Sequence, residues 1–408
     1  MRPFIFTGLS PNTQDLDAKL AFKLLFSLEW QWYMNDSIKK LEHWFREYYQ
    51  VEHAYAVDSG RAALQLALKA GGVGIGDEVI LQAFTCVVVS NAVTALGAKP
   101  IYVDCKEDYL IDASKVEAAI TPKTKAIIIQ HTFGAAADVE KLVALAHKHN
   151  LLVVEDCAHS LGESLNSTLL GNFGDLAIFS FGSDKVISGV RGGMMIANKN
   201  RPDLGLALKE LQATLPRFPI IKEVQHLLHP IFFYLGKKTY HLGIGKALLY
   251  GAKKLHLINR IIDQKEKEGK VSGYFPAKLP ATLAALAYNQ IKNLDVWNKV
   301  RKETAAFYAN SLKSKKSVQR VGNPNMWLRF PVQVNDPMIF RRTAAAQGIF
   351  LGDWYGTPIA PGDINFQAAN YVKGSCLVAE NLGKGIVNLP TEPSLTKEDL
   401  SRIVSLFS

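Results

Sequence analysis

The chain has 408 residues and a mass of 45.0 kDa, enough for two domains around a sizeable core. With 48% hydrophobic and 21% charged residues it is neither disordered, collagen-like nor a disulfide miniprotein, and a net charge of +10 favours anionic partners without choosing among them. Four scattered cysteines (Cys86, Cys105, Cys157, Cys376) form no C-x-x-C pair or Cys/His cluster, so free thiols in a reducing cytoplasm are expected, and no metal site.

The opening residues, Met1 to Gly8, lack an apolar core followed by a small-residue cleavage site, so no signal peptide is expected. No apolar run approaches the length of a membrane span. Between residues 58 and 200, apolar runs at Glu78–Leu81, Ile101–Val103, Ala126–Ile129, Leu151–Val154, Leu176–Phe181 and Met194–Ala197 predict buried strands. Stretches of helical spacing at Ala62–Ala70, Val87–Leu96, Lys115–Ile120 and Val139–His149 separate the early ones. Strands buried on both faces, alternating with helices, predict an α/β fold with a mostly parallel sheet. Ligands of such sheets sit beyond the carboxyl ends of the strands.

Residues 214–262 change character, becoming aromatic, leucine-rich and basic. From Thr214 to Lys270 there are 11 Lys/Arg against 4 Asp/Glu, which is most of the excess charge of the chain. Two or three amphipathic helices are predicted there. They read either as a site for an anionic substrate or a membrane surface, or as a helical cap or dimer contact with snorkelling lysines. A long helical stretch from Thr282 to Leu312, a strand at Leu328–Val334 and a helix near Lys397–Phe407 complete the pattern. The expected division is a large domain over 1–270 and a smaller α+β domain over 271–408.

Three segments carry chemistry. Asp58-Ser59-Gly60-Arg61 precedes the helical stretch at Ala62. A small-residue turn entering a helix offers backbone N–H groups and the positive dipole end to a phosphate, with Arg61 as a bidentate partner. The plainer reading is an N-cap at a glycine-permitted turn. The strand from Leu151 ends in Glu155 and Asp156, then Cys157-Ala158-His159. A buried carboxylate needs a cationic partner or several donors, so Asp156 faces a protonated cofactor ring nitrogen, a helix end or a structural ion pair. His159 faces the same ligand or is a satisfied core histidine. Last, Phe179-Ser180-Phe181-Gly182-Ser183-Asp184-Lys185 carries a strand into a loop rich in hydroxyls and glycine. Lys185 is a solvated surface charge, or it is desolvated beside a cofactor and forms a Schiff base with an aldehyde. A phosphate cradle, a carboxylate and a lysine, in that order at strand ends, are what pyridoxal phosphate demands.

With these residues in place, the sequence resembles the DegT/StrS-type sugar aminotransferases, fold-type-I pyridoxal phosphate enzymes, over nearly its whole length. The likeness runs from Ser59-Gly60-Arg61-Ala62-Ala63-Leu64 through Gly76-Asp77-Glu78-Val79-Ile80, Gly97-Ala98-Lys99-Pro100, Thr121-Pro122-Lys123-Thr124-Lys125-Ala126-Ile127 and Glu155-Asp156-Cys157-Ala158-His159 to Phe179-Ser180-Phe181, with Asn388-Leu389-Pro390 near the end. It implies that Lys185 forms the Schiff base and later moves the proton between substrate and cofactor. By the same resemblance Asp156 pairs with the pyridine nitrogen and His159 contacts the ring region. Ser180, Gly60 and Arg61 hold the phosphate, with Ser59 beside them in the cofactor-binding set. The retained lysine favours transamination over the related sugar dehydratases, in which a histidine replaces it.

Three departures from the family pattern stand out. Arg61 occupies a position where the family usually has Thr or a similar small residue. Cys86 follows Thr85 where an aromatic usually stacks on the ring, so Cys86 is expected to face it, with Phe84 the weaker stacker. Gly273-Tyr274-Phe275-Pro276-Ala277-Lys278 is the best counterpart of a segment whose Asn reaches the neighbouring subunit's phosphate, and that Asn is absent. Arg61 is expected to replace the lost contact. The resulting expectation is a cytoplasmic homodimer, with membrane association open through 214–262. It moves an amino group from an amino acid, glutamate, to an anionic nucleotide-linked keto-sugar, and has no nucleic-acid partner. The rivals are another pyridoxal phosphate reaction, such as sugar dehydration, and a non-catalytic regulatory or membrane-docking homologue.

Overall fold

The apolar runs of the first half pair into one seven-stranded sheet in the computed structural model. The structure describes all residues except 1–3, 9, 27–29, 259–261, 271–274, 316–317 and 323–324. The strands are β1 (His53–Val57), β2 (Glu78–Gln82), β3 (Lys99–Val103), β4 (Thr124–Gln130), β5 (Leu152–Asp156), β6 (Leu176–Ser180) and β7 (Gly193–Ala197). Their order is β1–β7–β6–β5–β4–β2–β3. From β6 to β3 all neighbours are parallel, whereas β7 runs antiparallel to both β6 and β1. The strand expectations hold, but β1 precedes the stretch where the sequence reading began. As an edge strand with His53 and Tyr55 half-buried, it alternates, so it never reads as a continuous apolar run.

Both faces of this sheet are covered. Val79, Leu81, Ile128, Val154 and Ile178 join one core cluster, while Ile80, Ile127, Ile129, Val153 and Phe179 alternate into the other. Two helices absent from the sequence expectation come first, α1 (Asp15–Phe26) and α2 (Trp30–Tyr49). α2 buries Leu41, Phe45 and Tyr49 against one face. α3 (Gly60–Ala70), α4 (Val87–Thr94) and α6 (Pro202–Ala213) cover the other, and α5 (Val139–Lys148) connects β4 to β5. These βα units bring the carboxyl ends of β4, β5 and β6 side by side.

The basic segment forms an antiparallel pair, α7 (Ile220–Lys238) and α8 (Ile244–Lys254). Their crossing is close because both carry glycine there: a Cβ on Gly245 would meet the Gly236 carbonyl oxygen at 2.0 Å. α7 also packs on α1, and its buried Glu223 accepts from Thr282 Oγ1 at 2.5 Å. The expected helix over 282–312 is two, α9 (Ala281–Ile291) and α10 (Leu294–Leu312), separated by a turn in which Asn293 N donates to Gln290 O.

The last part holds a three-stranded antiparallel sheet of β8 (Arg320–Val321), β9 (Phe330–Gln333) and β10 (Ile386–Leu389). Two short pairings stitch it to the front of the chain. Ile5–Phe6 pairs with Ile349–Phe350, and Thr85–Cys86 with Ile359–Ala360. The second brings Trp354 and Tyr355 over the carboxyl edge of the central sheet.

Candidate active site

A cavity of about 500 Å3 opens at that edge, and Ser59, Gly60, Arg61, Cys86, Asp156, His159, Ser180 and Lys185 all line it. Residues 126 positions apart in sequence thus meet at one site, because β1, β5 and β6 end on the same side of the sheet.

Ser59 is an N-cap, its Oγ accepting from Ala62 N at 3.3 Å, so the plainer reading of that turn holds. The phosphate reading is not displaced by it. A Cβ on Gly60 would lie 2.7 Å from Ser180 Cβ and 2.9 Å from its Oγ. Only glycine allows the first turn of α3 to approach the end of β6 so closely. The pair forms a small cradle of helix N-terminus, hydroxyl and backbone.

Period-two alternation separates the two carboxylates of β5. Glu155 points into the core, where it accepts from the amides of Gly171, Phe173 and Gly174 and from His131 Nε2 at 3.0 Å. That carboxylate is satisfied and structural. Asp156 points into the cavity and accepts from Ala158 N at 3.0 Å. Burial pushes its pKa up, and the Ala158 amide, Lys185 and His131 offset this only in part. A cation beside this carboxylate would relieve the desolvation.

Lys185 is held by its backbone. Asn12 Nδ2 donates to its carbonyl, Arg301 Nη2 donates to Val186 O at 2.7 Å, and Lys185 N closes a turn onto Gly182 O. Its Nζ lies 2.9 Å from His159 Nε2 and 4.7 Å from the centre of the Trp354 ring. His159 Nδ1 accepts from Phe133 N at 3.3 Å, which leaves the ring proton on Nε2, facing the amine. Burial, with Lys185 and Arg329 adding to it, holds the His159 pKa well below its usual value, so the ring is neutral. Trp354 and Phe133 lie nearly parallel to the imidazole, with centroids 5.6 and 6.0 Å away. On Trp354 also rests the buried Arg329 guanidinium, 3.5 Å from the ring centre.

The departures resolve individually. Cys86 faces the cavity, and burial pushes its thiol pKa up. Phe84 does not line it; fully buried, it packs on Tyr109, Phe133 and Tyr355. Arg61 Nη1 donates to the buried Glu266 carboxylate, so part of its guanidinium is engaged by protein. In the segment 273–278, Gly273 and Tyr274 lie outside the described residues. Phe275 sits beneath the guanidinium groups of Arg61 and Arg191, 5.9 and 5.4 Å away.

The sequence reading missed Asn12, Arg301 and Arg329, which carry no local motif. It also missed that α7 supplies a wall of the cavity through Gln225, His226 and His229. The histidines among the basic aromatic run were the available signal. His226 and His229 are buried, which lowers both pKa values to about 3. Gln225 Nε2 donates to His256 O at 2.7 Å, while its Oε1 is buried without a hydrogen-bond partner among the described residues.

The model of the DegT/DnrJ/EryC1/StrS aminotransferase family matches residues 17–207 and 252–408. The chain belongs to this family. It is therefore a pyridoxal phosphate-dependent aminotransferase, and the match skips 208–251, which includes α7 and most of α8. Among named relatives, the UDP-N-acetyl-3-dehydro-alpha-D-glucosamine 3-aminotransferase of Acidithiobacillus ferrooxidans is 29% identical over 88% of this chain and 84% of its own. The GDP-perosamine synthase of Caulobacter vibrioides is 29% identical over 90% of this chain and 88% of its own. The solved structure of S. venezuelae DesV superposes with a TM-score of 0.75 at 25% identity, covering 99% of this chain and 98% of that one. The cavity suits the family's cofactor on its own evidence: the Gly60–Ser180 cradle fits a phosphate, the desolvated Asp156 fits a ring N–H⁺, and the Lys185 amine stands beside both.

Proposed function

We propose that this aminotransferase moves an amino group from an amino acid, glutamate, to a keto-sugar carried on a nucleotide. Pyridoxal phosphate, when bound, supplies the electron sink that makes the α-proton of the amino acid removable. The Lys185 amine would accept that proton at Nζ and give it back, acting as base and acid in turn. His159 orients the amine through its Nε2, and Trp354 roofs it against water. Asp156 would hold the ring nitrogen protonated, and Ser59, Gly60 and Ser180 would hold the phosphate. Arg61, paired with Glu266, would add its charge to that phosphate, and Cys86 would line the cofactor's side of the cavity. With the acceptor sugar bound, the same amine delivers the proton in the reverse direction, and the amino group stays on the sugar.

The single observation that carries this reading is the convergence of Lys185, His159 and Asp156 on one cavity beside the Gly60–Ser180 cradle. The enzyme works as a homodimer with its active sites between subunits, and residues 214–262 meet a membrane surface. The test is the visible spectrum of the purified protein with glutamate, beside Lys185→Ala. Wild type is expected to be yellow, to bleach with glutamate and to release 2-oxoglutarate. A wild type that gains no visible band from added pyridoxal phosphate would overturn the assignment of these residues.

A further inference from the structure

Within the α7–α8 pair, α7 turns one side to the cavity, while both helices turn apolar and basic side chains to solvent. Ten of the eighteen large apolar side chains left exposed among the described residues lie on α1, α7, α8 and the turns that flank them. Ile220, Ile221, Leu242, Ile244, Tyr250 and Leu255 are each between 59% and 75% exposed, and α1, packed on α7, adds the touching rings of Phe22 and Phe26. Beyond the buried Glu223 in the first turn of α7, charge on the hairpin has one sign. From Val224 to Ile262 there is no Asp or Glu, and Lys238, Lys246, Lys253 and Lys254 are all exposed.

We propose that this outer face docks the enzyme on the surface of a bilayer containing anionic lipid. The docking rests on the membrane contact proposed above and assigns it a face and a lipid charge. Apolar side chains inserted at the headgroup boundary, ringed by lysines that reach back to lipid phosphates, are how an amphipathic helix binds a membrane without crossing it. No helix among the described residues is long and apolar enough to cross. Nucleic acid would use the lysines and leave the isoleucines in water. A second copy of the chain would oppose this patch with itself, bringing its lysines together with Asp15 of α1, already paired with Lys19, as the exposed carboxylate nearby. An anionic bilayer satisfies both sets at once. The family model's match breaks at 207 and resumes at 252, so α7 and the part of the face from Leu242 to Tyr250 lie outside it, while most of α1, Lys253, Lys254 and Leu255 lie within the matched residues.

The test is co-sedimentation of the purified holoenzyme with vesicles of phosphatidylcholine alone and of phosphatidylcholine mixed with phosphatidylglycerol. Binding is expected to the mixed vesicles only, weakening as salt is raised. Near an anionic surface each lysine contributes about fivefold in affinity, so the triple variant Lys246→Gln, Lys253→Gln, Lys254→Gln should bind roughly a hundredfold more weakly. Ile244→Glu should lose binding while keeping the yellow colour and the reaction with glutamate, which shows that it is folded. A wild type that stays in the supernatant with mixed vesicles overturns the proposal. So does a triple variant that sediments unchanged, or one that becomes monomeric, which would assign the face to a second copy. Loss of glutamate bleaching with vesicle binding intact would count against the assigned catalytic residues alone.

Discussion

The carboxyl edge of the central sheet and α7 of the α7–α8 hairpin both line the cavity, yet they are built on different principles. At the sheet edge most polar groups have a specific counterpart, although Asp184 Oδ1 is buried without a hydrogen-bond partner among the described residues. Glu155 is closed by three amides and His131, Ser59 caps α3, and the Lys185 loop is tied down by Asn12 and Arg301. On the hairpin, burial dominates: desolvation lowers the pKa of His226 and His229 to about 3, and Gln225 Oε1 is buried without a hydrogen-bond partner among the described residues. The family model matches the first region and omits most of the second. Chemistry common to a family needs fixed geometry, which strands supply. Recognition peculiar to one member can be hung on an added pair of helices.

If that contrast is right, substitutions at the sheet edge should cost the reaction itself. Lys185→Ala is expected to lower the rate of transamination by roughly 10⁴-fold, read as loss of 2-oxoglutarate release from glutamate. A milder loss would mean that another group carries the proton. Asp156→Asn should weaken cofactor binding by roughly two to four orders of magnitude, the scale of breaking a buried ion pair. It should act in the opposite direction on the cofactor-free protein. Because the folded-state pKa of Asp156 is raised, folding is penalised as pH climbs through and above the usual carboxylate range, and asparagine removes that penalty. Calorimetry of apo and holo forms checks both signs, and an apo form destabilised by Asp156→Asn would break the argument.

Smaller and different effects are expected on the hairpin. Gln225→Leu should raise KM for the sugar acceptor about fivefold, the loss of one hydrogen bond, and change the reaction with glutamate less. Equal effects on both half-reactions would place Gln225 outside the acceptor site. The buried histidines make the fold sensitive to acid. Below pH 6.5 the unfolded chain takes protons that folded His226 and His229 refuse until about pH 3, so stability falls in this window as pH is lowered. Each contributes roughly 1 kcal/mol per pH unit. Glu392, held up to about 7 by burial, works in the opposite sense, so the readout is the difference in Tm slope between wild type and His226→Asn. A slope between pH 6.5 and 5 unchanged by the substitution would show that His226 is not held neutral.

Sequence by itself determined the alternation of strands and helices over 58–200, because strands buried on both faces must be apolar along their length. It also marked Ser59-Gly60, Asp156 and Lys185, each with an ordinary structural reading by itself and pointing to a ligand only through their order and placement near strand ends. It could not reveal β1, whose half-buried edge breaks the apolar run, nor the break between α9 and α10. Only tertiary structure decided that Asp156 faces the cavity and Glu155 the core. Arg61 stands by Glu266, 205 residues away, and Trp354 roofs Lys185 across 169 positions. Gln225 and the two histidines of α7 form a wall of the cavity only because α7 packs there. Local spacing fixes which face of a helix or strand a side chain occupies, but what that face meets is set by distant chain brought beside it, and no local pattern encodes that meeting.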